Sequence, residues 1–190
     1  MDRLFPRGTP PPVALEGTLL LAHSCDVKFF LLALAVLHAV AHAAPAGTLR
    51  DFELTDQNAT ARRYEFPKTK VTVMTVADHK GSAQLTPWIE RLYRRYERRI
   101  DIDGIADVSM ISKPFHSLFR AAFRKQLTYS VMLDWDGSVV KQFGYKPGVA
   151  NIYVIDARGG IVKQVSGPVS DDALRAVTLE IDRAIVLVAR

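Results

Sequence analysis

Four consecutive residues, His79-Lys80-Gly81-Ser82, set an imidazole, an ammonium and a hydroxyl side by side at the end of an apolar run. With Asp78 before it, His79 has the neighbour that a general acid or base uses. Lys80 and the N–H groups of a helix starting here suit a phosphate, sulfate or carboxylate. A metal would need Asp78, His79 and His116 together, and adjacent Asp–His is not a standard ligand spacing. The plainer alternative is that Lys80-Gly81-Ser82 is a loop and a helix cap. Both readings stay open at this level. No P-loop, dinucleotide fingerprint or nucleophile elbow occurs, and neither a cofactor nor a metal is expected. Cys25 is the single cysteine, which excludes an intrachain disulfide and a cysteine–metal site.

The elements around these residues follow from hydrophobic period. Val71–Ala77 is apolar or β-branched on both faces, the pattern of a central strand covered on two sides. After the loop, Leu85, Trp88, Ile89, Leu92, Tyr93 and Tyr96 predict one buried helical stripe. Pro87 either opens this helix behind Thr86 as N-cap or kinks a helix begun at Ser82. Upstream, Thr48–Thr55 and Arg62–Phe66 suggest short strands. Downstream come a strand over Ile100–Ile111, a helix over Phe115–Gln126, a strand at Ser130–Leu133 and a short helix at Val139–Phe143 ending on Gly144. Ala150–Ile155 and Ile161–Val165 flank a hairpin turn at Asp156–Gly160. Ser170 caps a last helix with Leu174, Val177, Ile181 and Ile185 on its buried side. The order β-α-β-α-β-α-β-β-α predicts an α/β protein: a three-layer α/β/α sandwich around a mixed sheet of four or five strands.

The chain has 190 residues, 48% of them hydrophobic, a net charge of +5 and a pI near 9.4, which fits one basic globular domain. Phe29–Val40 is an apolar run preceded by Lys28 and followed by Ala41-His42-Ala43, the pattern of an export signal cleaved after Ala43, or after Ala46 as second choice. The run is shorter than the roughly 20 residues of a spanning helix. Residues 1–46 are therefore expected to be an N-terminal extension and signal peptide, and 47–190 the folded domain of a periplasmic or secreted protein. Met1–Asp26 is Pro-rich and carries both charge signs, unlike an ordinary signal; initiation at Val27 would leave a conventional one.

Two predicted helices are basic: Arg91, Arg94, Arg95, Arg98 and Arg99 mark the first, Arg120, Arg124 and Lys125 the second. Phe115, Phe119 and Phe123 give the second the character of an interfacial helix that would contact a membrane peripherally. The alternative is that its aromatics face the sheet and its cations face water. Nucleic acid is not expected for an exported protein.

Three stretches together resemble the thioredoxin-like superfamily, in its exported redoxin branch of thiol–disulfide reductases and peroxide-reducing enzymes. They are VTVMTVADHKGSAQLTPWIERL, YSVMLDWDGSVVKQFGYKPGVANIYVIDARGGIVKQVSG and the export-like N-terminus. The resemblance places His79 at the nucleophilic cysteine of CxxC and Ser82 at the resolving one. Without those thiols neither disulfide exchange nor peroxide reduction can run. It also places Ala150 at the family's cis-proline, where a cis bond would cost a non-proline residue about 2.5–4 kcal/mol. The expected role is thus a non-catalytic module for an envelope protein or peptide, recognised at His79, Lys80, Gly81, Ser82, Val149 and Ala150. The alternatives are a non-redox enzyme or a small-anion binder using His79, Lys80 and Ser82.

Overall fold

A computed structural model describes residues 47–188; the expected N-terminal extension, the expected export signal with its cleavage choices, and Cys25 lie outside the described residues. The strands are β1 (Phe52–Asp56), β2 (Ala61–Tyr64), β3 (Thr72–Ala77), β4 (Asp101–Asp107), β5 (Met132–Asp134), β6 (Asn151–Ile155) and β7 (Ile161–Ser166). The helices are α1 (His79–Ser82), α2 (Leu85–Tyr96), α3 (His116–Gln126), α4 (Val140–Phe143) and α5 (Asp171–Val188), with a 3-10 turn at Lys113–Phe115 leading into α3. The strands form one sheet in the order β2-β1-β5-β4-β3-β6-β7. β3, β4 and β5 run parallel, and the other pairs are antiparallel. The sheet is mixed as expected but has seven strands, not four or five. The β1–β2 hairpin extends one edge by pairing Thr55 with Leu133 and Asp56 with Met132.

β3 is buried at every position, and its pleat sends alternate side chains into two cores. Val73, with Ile152 and Val154 of β6, packs against Trp88, Leu92 and Tyr96 of α2 and against Val177, Ile181 and Ala184 of α5. Met74 and Val76, with Tyr153 and Ile155, face Phe52, Tyr64, Val140 and Phe143. Polar ties fix the first layer. The Trp88 Nε1–H donates to Gly167 O at 3.0 Å, and the Tyr96 hydroxyl lies 2.9 Å from Asp182 Oδ1. Burial, with the Asp182 hydrogen bond, pushes the Tyr96 phenol up to about 12, so it stays a donor at neutral pH. Ser170 Oγ accepts from Ala173 N at the start of α5, as the sequence led us to expect.

Three expectations change. Pro87 is the third residue of α2, which begins at Leu85 with Gln84 as N-cap; Thr86 is not the cap and α2 does not begin at Ser82. The ring costs nothing there, because the first four N–H groups of a helix have no intrahelical acceptor. Tyr93 is 59% exposed. The buried line Trp88, Leu92, Tyr96 advances four residues at a time, which leaves Tyr93 at its rim. The third change concerns α3, which buries no side chain and contributes to neither core. Phe115, Leu118 and Phe119 are exposed instead of facing the sheet. His116 and Arg120 take the inward side, over Trp135. Among the described residues, no helix is long and apolar enough to cross a membrane.

Asp56 closes the β1–β2 turn and ties it to the strand beyond. Its carboxylate accepts from Asn58 N, Thr60 N and the Ser130 hydroxyl at 2.8, 2.9 and 2.8 Å. Burial raises its pKa, but these hydrogen bonds and the Arg62 charge outweigh that and hold it below its ordinary value of 3.8. A depressed carboxylate stabilises the fold in full above its unfolded value and loses that contribution as pH falls through the folded one. Asp56→Asn is therefore expected to cost about 1–3 kcal/mol at pH 7 by urea denaturation. The gap from the native chain should narrow below about pH 4; a gap independent of pH would contradict the assignment.

Candidate functional site

The register of the central strands brings the two halves of the site together. β3 and β6 pair antiparallel with Val76 opposite Asn151. The residues after Ala77 and before Asn151 therefore leave the sheet at the same end. Asp78 is the N-cap of α1, with extended backbone, and its Oδ1 accepts from Gly81 N at 2.7 Å. Its Oδ2 accepts from Gly148 N at 2.8 Å. One carboxylate thus joins the start of α1 to the loop before β6. Gly148 has φ +80°, a conformation that favours glycine.

Gly81 is buried between these halves. A Cβ built on it would lie 2.3 Å from Val149 O and 2.5 Å from Val149 C. Both are backbone atoms, so the fit requires a residue without a side chain. Ala150 N donates to Gln84 Oε1 at 3.2 Å, a second tie across the gap. Asn151 holds the loop from below. Its Nδ2 donates to Lys146 O and Val149 O at 2.8 and 3.0 Å, and its Oδ1 accepts from Lys146 N at 2.9 Å. Among the described residues the one cis peptide bond precedes Pro67, so Ala150 follows a trans bond.

All six residues singled out from sequence lie in this assembly. Gly81 touches the Val149–Ala150 peptide, and Lys80 Cδ lies 3.8 Å from the Cβ position of Gly148. His79, Lys80 and Ser82 are exposed, Val149 is half-buried and Ala150 is buried. The Ser82 hydroxyl donates to His79 O at 2.8 Å. Asp78 is not poised as an acid–base partner of His79, because both its oxygens accept backbone N–H groups. His116 stacks on Trp135, with its Nε2 3.0 Å from Ile111 O. Among the described residues no three His, Cys, Asp or Glu side chains gather as a metal site.

Sequence reasoning missed Gln84, Gly148 and Asn151, which hold the edge, and Tyr145, which stands beside it. The Tyr145 hydroxyl donates to the Asp107 carboxylate at the end of β4. Burial, that bond and the nearby Asp78 and Asp134 charges push the phenol well above its ordinary value, leaving a neutral donor. Asp107 is raised by burial but held below the usual carboxylate range by Ser109, Tyr145 and the Lys141 charge. Only the Gly81 half of the Asp78 clamp had a legible signal: an Asp immediately before a helix, with its acceptor three residues short of the bonded N–H.

No protein-family model matches the chain, and no curated protein matches it in sequence. Solved structures do. The pneumococcal exposed lipoprotein thioredoxin Etrx1 from Streptococcus pneumoniae superposes with a TM-score of 0.56 at 18% identity, over 69% of this chain and 99% of that one. A thiol:disulfide interchange protein of the thioredoxin family from Chlorobium tepidum gives 0.52 at 17%, over 75% and 98%. BsSco, a member of the Sco family of cytochrome c oxidase assembly proteins, gives 0.53 at 15%, over 76% and 96%. Such identities establish the fold alone. The chain has the thioredoxin-like fold of the redoxins, with His79 and Ser82 at the two ends of α1, where the resemblance puts the thiols, and its single cysteine at position 25.

Gly81→Ala tests the close approach. The substitution favours helix by roughly 1 kcal/mol. Overlap with an immovable carbonyl typically costs about 1–3 kcal/mol. A net loss in urea-unfolding stability is expected; a gain would mean that the two loops do not touch.

Proposed function

We propose that this chain is a thioredoxin-like binding module of the cell envelope that works without thiol chemistry. It takes a protein or peptide segment at the edge formed by His79, Lys80, Gly81, Ser82, Val149 and Ala150. The observation that carries this reading is the packing of Gly81 against the Val149 carbonyl. It joins the two halves of the edge on which His79, Lys80 and Ser82 are exposed. A preformed edge lowers the ordering cost of binding.

Two alternatives fare worse on chemical grounds. An anion at the start of α1 would meet the Asp78 carboxylate, which already accepts from Gly81 N and repels a second negative charge. A non-redox enzyme would need a base to activate a nucleophile. Here the Ser82 proton is directed at His79 O, and Asp78 is occupied by backbone. Placement in the envelope rests on the apolar run Phe29–Val40 and the Ala41-His42-Ala43 pattern. It is in keeping with a matched structure that is itself an exposed lipoprotein thioredoxin.

Photocrosslinking tests the reading. A photoreactive residue at His79 should capture one discrete envelope protein, insensitive to reductant. The same residue at Arg158, in the β6–β7 turn at the other end of β6, should capture none. Equal capture from both positions would contradict the proposal. So would insulin reduction by the native chain that Cys25→Ser abolishes, since exchange would then run through that thiol.

A further inference from the structure

The two basic helices differ in what surrounds their charges. On α2, Arg91 pairs with Asp171 and Arg95 with Asp182, each at 2.9 Å, so α5 neutralises part of that face. From Ser109 to Ser130 the chain has four cations (Lys113, Arg120, Arg124 and Lys125) and no Asp or Glu. Among the described residues none of those four joins an ion pair. The same stretch exposes Phe115 at 54%, Leu118 at 64% and Phe119 at 40%, with Met110 just upstream at 94%.

We infer that α3 and its 3-10 lead-in dock on an anionic lipid surface. Leu118 and Lys125 are seven residues apart and share the outward side of α3, with Phe115 and Phe119 along its edge. Arg120 turns inward over Trp135. Lys125 therefore supplies the outward charge, with the exposed Lys113 and Arg124 at the flanks of the face. A helix lying flat on a bilayer buries such apolar groups at the acyl boundary and sets its cations among anionic headgroups. The long Lys and Arg stems let the charges stay at headgroup level while the rings go deeper. The face belongs to neither core, and a lipid surface takes up such an amphipathic helix without needing a preformed groove. Uniform positive charge selects an anionic surface. None of the residues of the His79–Ala150 edge is used, so either proposal stands if the other fails.

The test uses the full chain carrying Leu118→Trp and vesicles of phosphatidylglycerol and phosphatidylcholine with brominated acyl chains. The fluorescence added by the substitution should be quenched on these vesicles. Each cation near such a surface is worth about fivefold in partitioning. Arg124→Glu with Lys125→Glu should therefore weaken binding by roughly tenfold or more, as should pure phosphatidylcholine or high salt. If circular dichroism shows the double variant unfolded, Lys125→Gln alone should still give a loss of a few fold. Vesicle attachment without quenching would overturn the inference, because contact would lie elsewhere in the chain. Equal quenching on neutral vesicles, no vesicle binding, or a concentration-dependent blue shift without lipid, which marks a second copy on this face, would overturn it as well.

Discussion

Everything at the candidate site depends on how the Asp78 carboxylate divides its two oxygens. One accepts the Gly81 amide and so starts α1; the other accepts the Gly148 amide and so holds the loop before β6. Charge-assisted bonds of this kind are about twice as strong as neutral ones. Here they bridge segments about 70 residues apart in the chain. With that bridge in place, Gly81 can lie against the Val149 carbonyl and Ala150 can donate to Gln84. Asn151 and its bonds to Lys146 and Val149 complete a loop that keeps its shape with a trans bond before Ala150.

The sheet sets where that bridge falls, and the two cores set how firmly the sheet is held. Between α2 and α5 the layer is held by buried apolar side chains and by the Trp88 and Tyr96 hydrogen bonds, with exposed arginine–aspartate pairs at its rim. On the other face the short α4 and the β1–β2 hairpin supply the cover. α3 stays outside both, tied by His116 and Arg120 over Trp135. An amphipathic helix left in this position keeps its apolar side in water unless something else covers it, at a cost proportional to the exposed area.

Much of this was legible in the residues. Val71–Ala77 has no polar face, which only a strand covered on both sides accommodates, and β3 is buried throughout. Asp156 with Gly159 and Gly160 announced the β6–β7 turn, where the Asp156 carboxylate accepts from Arg158 N and Gly160 N. The proximity of residues 79–82 to 149–150 was legible through resemblance, and the β3–β6 register accounts for it. What stayed hidden depends on tertiary context. Hydrophobic period says that Phe115, Leu118 and Phe119 share a side of α3 but not whether the fold has a surface to put beneath them. Nor does it show that Asp78 serves two amides far apart in sequence, since an N-cap signal is local. The α5 aspartates that pair with Arg91 and Arg95 of α2 were equally unreadable, because pairing follows layer packing.

The most direct measurement of the central claim is amide hydrogen exchange at Gly81 and Gly148 in the native chain and in Asp78→Ala. Both amides should be protected in the native chain and lose protection together in the variant, while the Ile152 and Val154 amides inside β6 keep theirs. A Gly148 amide that exchanges freely in the native chain, or that is indifferent to the substitution, would show that the carboxylate does not join the two loops.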